Sequence, residues 1–548
     1  MTPSVLAPRS DCASLPNNDT TRVAGLFHAA AFRRESTLTI PPGDYHLSGD
    51  APIPLHSGLT VFAYGARFHL PQNLGDRAHF DVFRGTDIID FNWFGGQFIG
   101  RCFDHRRADN TWEPNACTRG IVITTRPGGV TRNLTFRDIG AQRLAGAVVT
   151  VEGVRAAGSE SAVATYAQNI TIENCTFLES GKFMWDYGML WQIAVWPDDY
   201  TAQYKTLVDR YFRNDLVRSG VRMGDGDDRV FFDNSGLDAI PVSPKGTPHH
   251  AVCFYHDTLP RNIVRGRQFF VVESAPDYIR VSPTHGGEPV RFEGSAGPAT
   301  RLMHDLFACF MALYAPTGQG PGKGCFDLVG CRNIRVAGCK ISALGDTMHI
   351  QLSRDIVFAQ NHILGSRMGA FFLAEHCQNS TVTGNLVDCT NGSRVISIER
   401  SNEDVTVIGN TFRGGGRGSW INQPKNLIFQ GNIFTDNTTK GRPEPWSGRR
   451  TYRTGGWEAY PEMYFSVWQT GAKYGPVILR DNIFTTGPEA KAALQFETGT
   501  VDAVVENNLF RGHSGTILID EPNPGVLIGA NTGHTVIRTE PGPRYVND

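Results

Sequence analysis

The chain has 548 residues, 40% of them hydrophobic, and a formal charge of −2, with a pI near 6.8. That length supports a large buried core, and the near-neutral balance carries no basic footprint for nucleic acid. No window approaches the roughly 18 consecutive apolar residues of a membrane-crossing helix, so neither a membrane nor a nucleic acid is expected as a partner.

The first stretch, Met1 to Asp19, has no apolar run of signal-peptide length, which leaves the cytoplasm open beside an extracellular or virion location. Next come Asn18-Asp19-Thr20-Thr21, an Ala-rich stretch through Ala29 to Phe32, and Leu38-Thr39-Ile40-Pro41-Pro42-Gly43-Asp44-Tyr45. They read as a short helix followed by a strand and a tight turn. Eleven cysteines are scattered along the chain without a C-x-x-C pair, so buried thiols are expected, with Cys102 and Cys117 as a lesser candidate for a clip.

Asn133-Leu134-Thr135-Phe136 and Asn169-Ile170-Thr171-Ile172 introduce a plan that recurs from Arg332 onward: a polar pair, then alternating apolar residues. It returns at Arg332-Asn333-Ile334-Arg335-Val336, Arg354-Asp355-Ile356-Val357-Phe358, Gln378 to Val382, Glu403 to Val407 and Lys425 to Phe429. Each copy is followed by a small or Asn position, at Cys339, Asn361, Asn385, Asn410, Asn432, Asn482, Asn508 and Asn531. The successive spacings are 22, 24, 25, 22, 50, 26 and 23. Period-two alternation in a repeat of this length predicts an all-β, right-handed, single-stranded parallel β-helix, with one coil per repeat and Asn in its tight bends. The longest spacing fits two coils or one coil with a long loop.

Between Trp196 and about Thr300 the repeat is lost. Short strands and Gly turns there predict an inserted, small β-barrel-like domain at 197–300. It lies between an N-terminal cap with the first coils (1–196) and the remaining coils (301–548). Asp225, Asp227 and Asp228 suggest a calcium loop until position twelve from Asp225 is read as Gly236, so a turn is preferred. His249, His250, Cys253 and His256 have ligand chemistry but fit no zinc spacing, and neither a metal nor another cofactor is expected.

The Thr20 helix and the Pro-Pro-Gly-x-Tyr turn resemble the opening of the pectate-lyase-like and polygalacturonase-like β-helix superfamily, where a helix caps the first coil. The resemblance implies a substrate lying along one sheet, with carboxylates on the strand preceding each Asn-Ile-Thr-Ile-type strand. Applying that offset leaves Asp327, His349, Gln351, Ser397, Glu399, Trp420, Asn422 and Trp468 on the outer face. The candidate acids are Asp327, Asp346, Glu375 and Glu399, with one or two coils of about 4.8 Å each matching retaining or inverting separations. Lys323, Arg367 and Arg394 are candidates for uronate contacts, Trp420 and Trp468 for stacking, and His349, Asp186 and Trp191 for further contacts. The polygalacturonase pattern is incomplete: Gly345-Asp346 stands where Gly-Asp-Asp is found, and Asn-Thr-Asp-Gly, Gly-His-Gly and Arg-Ile-Lys are missing.

The implied function is a glycoside hydrolase acting on a polysaccharide or oligosaccharide through an Asp/Glu pair, with the insert walling the groove. A polysaccharide lyase or transferase, with His349 or Lys323 taking a proton, is the second expectation. The third is a non-enzymatic, tailspike-like glycan binder, and trimeric self-association, common among β-helix proteins, fits each of them.

Overall fold

The computed structural model describes residues 19–71, 79–100, 117–144, 146–159, 161–181, 217–234, 236–243, 251–255, 257–263, 269–283, 286–304, 324–343, 346–366, 369–389, 394–438, 460–466, 473–497 and 500–539. These divide into two compact units. One carries three long parallel sheets and the other a six-stranded antiparallel sheet.

The three sheets contain 13, 12 and 13 strands, and in each one every strand pairs with the strand one coil earlier and one coil later. This is the right-handed parallel β-helix that the repeat predicts. The first sheet holds the Asn-Ile-Thr-Ile-type strands, such as Ala167–Glu173, Cys331–Ala337 and Arg354–Ala359. In these the second residue of the polar pair takes the left-handed conformation, at Asn133, Asn169, Asn333, Asp355, Asn379, Asp404 and Asn426, with φ of 50–59°. Asn and Asp tolerate that region best among residues with a side chain. Inward residues of successive coils stack on their own kind, as in Phe412–Phe434–Phe484–Phe510, whose ring centroids lie 4.8, 4.9 and 5.1 Å apart.

The recurrent Asn forms one column, buried from Asn361 to Asn508. The Oδ1 of Asn385, Asn410, Asn432, Asn482, Asn508 and Asn531 each accepts the backbone N–H of the Asn one coil earlier at 2.9–3.0 Å. Each Nδ2 donates in turn to a backbone carbonyl, for example Asn410 to Val382 at 2.9 Å. Asn432 bonds directly to Asn482, so the longest spacing in the repeat is a single coil with a long excursion. Removing one member strands its neighbour's buried N–H. Asn410→Ala is therefore expected to cost about 2–5 kcal/mol, read as a lower urea midpoint at unchanged slope. Asn379→Ala, in the exposed Asn379–Asp355 pair, should cost under about 1 kcal/mol.

The helix Thr20–Arg33 caps the first coil, turning Val23, Leu26, Phe27 and Ala30 inward at i, i+3, i+4 and i+7. Phe27 packs at 5.7 Å from Phe83 and 6.3 Å from Trp93. In the turn that follows, Tyr45 donates its hydroxyl to the Pro41 carbonyl at 2.8 Å.

In the second unit the strands Val217–Arg218, Arg301–His304, Ala251–Tyr255, Phe269–Ser274, Tyr278–Ser282 and Arg229–Phe231 lie side by side in that order. The chain just after the first of them bends to the last, where Arg222 and Phe231 exchange N–H···O bonds of 2.8 and 3.0 Å. That exchange closes the sheet into a small barrel around Val230, Phe254, Ile279 and Leu302. The acidic turn at its rim is internally satisfied. Asp227 accepts from the N–H of Asp228 and Arg229, Asp225 from Gly294, and Asp228 pairs with Arg280. His249, His250 and His256 lie outside the described residues, and Cys253 is a buried barrel residue whose thiol burial pushes up to about 12.

Candidate functional site

The third sheet carries the outer face of interest. Its strands Val149–Glu152, Phe326–Val329, Met348–Gln351, Gly369–Leu373, Arg394–Ile398, Ser419–Asn422 and Met463–Ser466 occupy successive coils. Alternation sends Phe326, Leu328, Met348 and Ile350 into the core, so Asp327 and His349 point outward.

Register places Asp327 opposite His349, and the imidazole Nδ1 lies 2.6 Å from Asp327 Oδ1, with both residues about 5% exposed. On the far side Asp327 faces Thr150, and the outward residue two places along that strand is Glu152. Arg119 reaches the same spot from the strand Cys117–Thr124. Its Nε donates to Asp81 Oδ1 at 2.7 Å and its Nη1 lies 3.9 Å from Glu152. Five titratable side chains from five successive coils thus share this face: Asp81 in register with Arg119, Glu152 within reach of the Arg119 guanidinium, and Asp327 in register with His349. Loss of solvation, and next the negative charge of Asp327, push the Glu152 carboxyl above the ordinary glutamate range, although Arg119 opposes the shift. With 39% of its side chain exposed, Glu152 is reachable from outside.

The other candidate acids are placed differently. Asp346 is buried and accepts the N–H of Gly369 at 2.9 Å, tying one coil to the next. Glu375 lies two residues past the Leu373–Ile398 pair, opposite Arg400, with which it forms an ion pair. Glu399 stands one position earlier on its coil than Arg400, half-buried, with its backbone N–H on Leu373.

Farther along the face, the Arg394 guanidinium sits 4.6 Å over the Trp420 ring. Trp420 is 5% exposed and donates its indole N–H to Ser466 Oγ at 2.6 Å. Asn422 bonds the same hydroxyl at 2.7 Å. Between this group and His349 lies Phe372, its ring 5.9 Å from the imidazole. Asp186, Trp191, Lys323, Arg367 and Trp468 lie outside the described residues, as does Cys102 of the suggested clip.

Asp81, Arg119 and Glu152 are the members that sequence reasoning missed. The coil holding Glu152 carries an extra hairpin, Val154–Arg155 with Val163–Thr165, before its Asn-Ile-Thr-Ile strand. The short, fixed offset that locates Asp327 ahead of Asn333 therefore fails there. The alternating run Val149-Thr150-Val151-Glu152 was the available signal.

The model of the family described as periplasmic copper-binding protein (NosD) matches residues 327–445. Among the described residues no three His, Cys, Asp or Glu side chains gather closely enough to hold a metal ion. No curated protein matches the chain. Similar solved structures include the A-module of the Azotobacter vinelandii mannuronan C-5 epimerase AlgE4, at 10% identity and a TM-score of 0.43 over 94% of this chain and 98% of that one. Another is the Streptococcus pneumoniae surface protein and adhesin PfbA, at 10% identity and 0.41 over 96% of both. A third is the tailspike of E. coli bacteriophage HK620 in complex with a pentasaccharide, at 11% identity and 0.40 over 95% of this chain and 75% of that one. The family match spans under a quarter of the chain and the structural likenesses are distant, so the three stacked sheets themselves make this a right-handed parallel β-helix protein.

Proposed function

We propose that the protein is a glycan-cleaving enzyme, a glycoside hydrolase whose acid is Glu152 and whose second carboxylate is Asp327. One observation carries this reading: two carboxyls on adjacent coils of one outer face, of which one is biased toward its protonated form and the other bonded to an imidazole. A carboxylic acid that keeps its proton can protonate a glycosidic oxygen as the bond breaks. An ionised partner can attack the sugar or activate water. Arg119, fixed by Asp81, brings a positive charge to within 3.9 Å of Glu152 and so offsets the repulsion between the two carboxyls. Trp420 and Arg394, four and three coils farther on, extend the face along which a chain would lie. The 197–300 insert is read as a separate lobe of the same enzyme.

The Asp327–His349 contact favours a second reading, a lyase, in which an imidazole oriented by a carboxylate takes a proton from a uronate ring carbon. One assay separates the two. Incubation with neutral and uronic polysaccharides is expected to release reducing ends without a gain in ultraviolet absorbance. Absorbance rising in step with the new ends would establish the lyase, and neither signal from any polymer would leave glycan binding alone.

A further inference from the structure

Cys175 and Cys339 stand at the corner that Asn occupies in later coils, one on each side of the point where the chain leaves the β-helix for the insert. Thr176 and Lys340 pair in register, so the two cysteines are direct neighbours on successive coils. The backbone is fixed on both sides of them: Asn174 N–H donates to Ala337 O at 3.0 Å and Lys340 N–H to Cys175 O at 2.8 Å. Each follows a left-handed residue, Asn174 or Gly338, so their Cβ atoms leave the backbone in the same direction. One interstrand step of about 4.8 Å falls inside the roughly 4.4–6.8 Å range over which Cα atoms are bridged by a disulfide. Both residues are 1% exposed, and their thiols lie 3.3–3.8 Å from backbone carbonyls, Cys175 from Glu173 and Phe136 and Cys339 from Ala337 and Ile172.

We propose that Cys175 and Cys339 form a redox-sensitive staple: an oxidant of the disulfide class converts this thiol pair into a disulfide that covalently joins the coils flanking the insert. Cys331 and Cys377, in another corner column, are separated by the coil of Ser353, whose hydroxyl accepts the Cys331 N–H. They are two coils apart and out of reach. Burial pushes the Cys175 thiol well up, so the exchange opens when one of the two sulfurs loses its proton to solvent. That thiolate displaces one thiolate from an external disulfide such as oxidised glutathione. The second cysteine, on losing its own proton, then displaces the other, so two protein thiols are oxidised as one glutathione disulfide becomes two thiols. The loop so closed runs from Cys175 through the whole insert to Cys339. Burial confines the exchange to moments when this corner opens or is still assembling.

The test uses the full chain, incubated with oxidised glutathione in urea below its unfolding midpoint, acid-quenched, unfolded, alkylated and mapped by mass spectrometry. The expected result is a linked Cys175–Cys339 peptide, two fewer alkylated thiols and faster migration on a non-reducing gel. In Cys339→Ser the linked peptide should vanish and Cys175 become fully alkylated. Recovery of both cysteines as alkylated thiols, as stable glutathione adducts, or linked to other cysteines would overturn the proposal.

Discussion

Asp327→Asn is expected to lower turnover on a cleaved glycan by about two to four orders of magnitude, with Glu152→Gln doing the same, because an amide neither exchanges a proton nor attacks a sugar. The two variants should differ in their pH profiles. An acid must be protonated to act, so the rate falls as pH rises through the raised pKa of Glu152. Asp327 contributes part of that rise by its charge. Its conversion to Asn should let the Glu152 carboxyl ionise more readily, moving the alkaline limb of the residual activity to lower pH. His349→Gln, which keeps the Asp327 charge, should lower the rate with a smaller move of that limb. Glu375→Gln, which breaks only the pair with Arg400, should keep activity within about tenfold. If Glu375→Gln is silenced while Asp327→Asn and Glu152→Gln stay active, the centre lies at the far corner of the sheet.

The second large effect concerns stability. Glu462 is fully buried, and loss of solvation pushes its carboxyl up to about 7 despite two hydrogen bonds from Asn437. The folded state therefore holds this proton more tightly than the unfolded chain, whose glutamate titrates near 4.5. The resulting stabilisation is complete below about pH 4.5, shrinks between 4.5 and 7, and is gone above 7. Over that window unfolding free energy should fall by roughly 3 kcal/mol on account of this one group. Glu462→Gln cannot ionise and should flatten that slope in urea melts taken between pH 4.5 and 8. A wild-type slope that the substitution leaves untouched would show that another group carries it.

The fold was legible because its signal is repeated. A polar pair, an alternating strand and an Asn at nearly constant spacing mark a coil however variable its loops are, and the buried Asn column shows why that residue recurs. The Asp327–His349 contact was legible for the same reason, since both sit in coils of regular length. The other half of the site was not. Asp81, Arg119 and Glu152 belong to coils broken by extra segments, where counting residues gives no register and only the pairing of Val149 with Phe326 reveals the neighbourhood. Glu375 and Glu399 show the opposite failure. Their separation, close to one repeat, suggests one column, but Glu375 stands opposite Arg400, because a one-residue difference in the coil moves a side chain to another position.

The seam between the strands Val149–Glu152 and Phe326–Val329 bears on how the molecule assembles. From Phe326 onward each coil pairs with the coil that follows it directly in the chain, so that half can zip coil by coil from any nucleus. Thr150 and Asp327, by contrast, are neighbours although the whole insert lies between them in the chain. Contacts of such long range form slowly, since the entropy of closing the loop is lost before any contact repays it. The charged group straddles this seam, with Arg119 and Glu152 on one side and Asp327 and His349 on the other. A folding intermediate with a finished C-terminal stack would hold the His349 imidazole and Asp327 but lack Glu152 and Arg119, so the proposed site would be completed only by the last and slowest joining event.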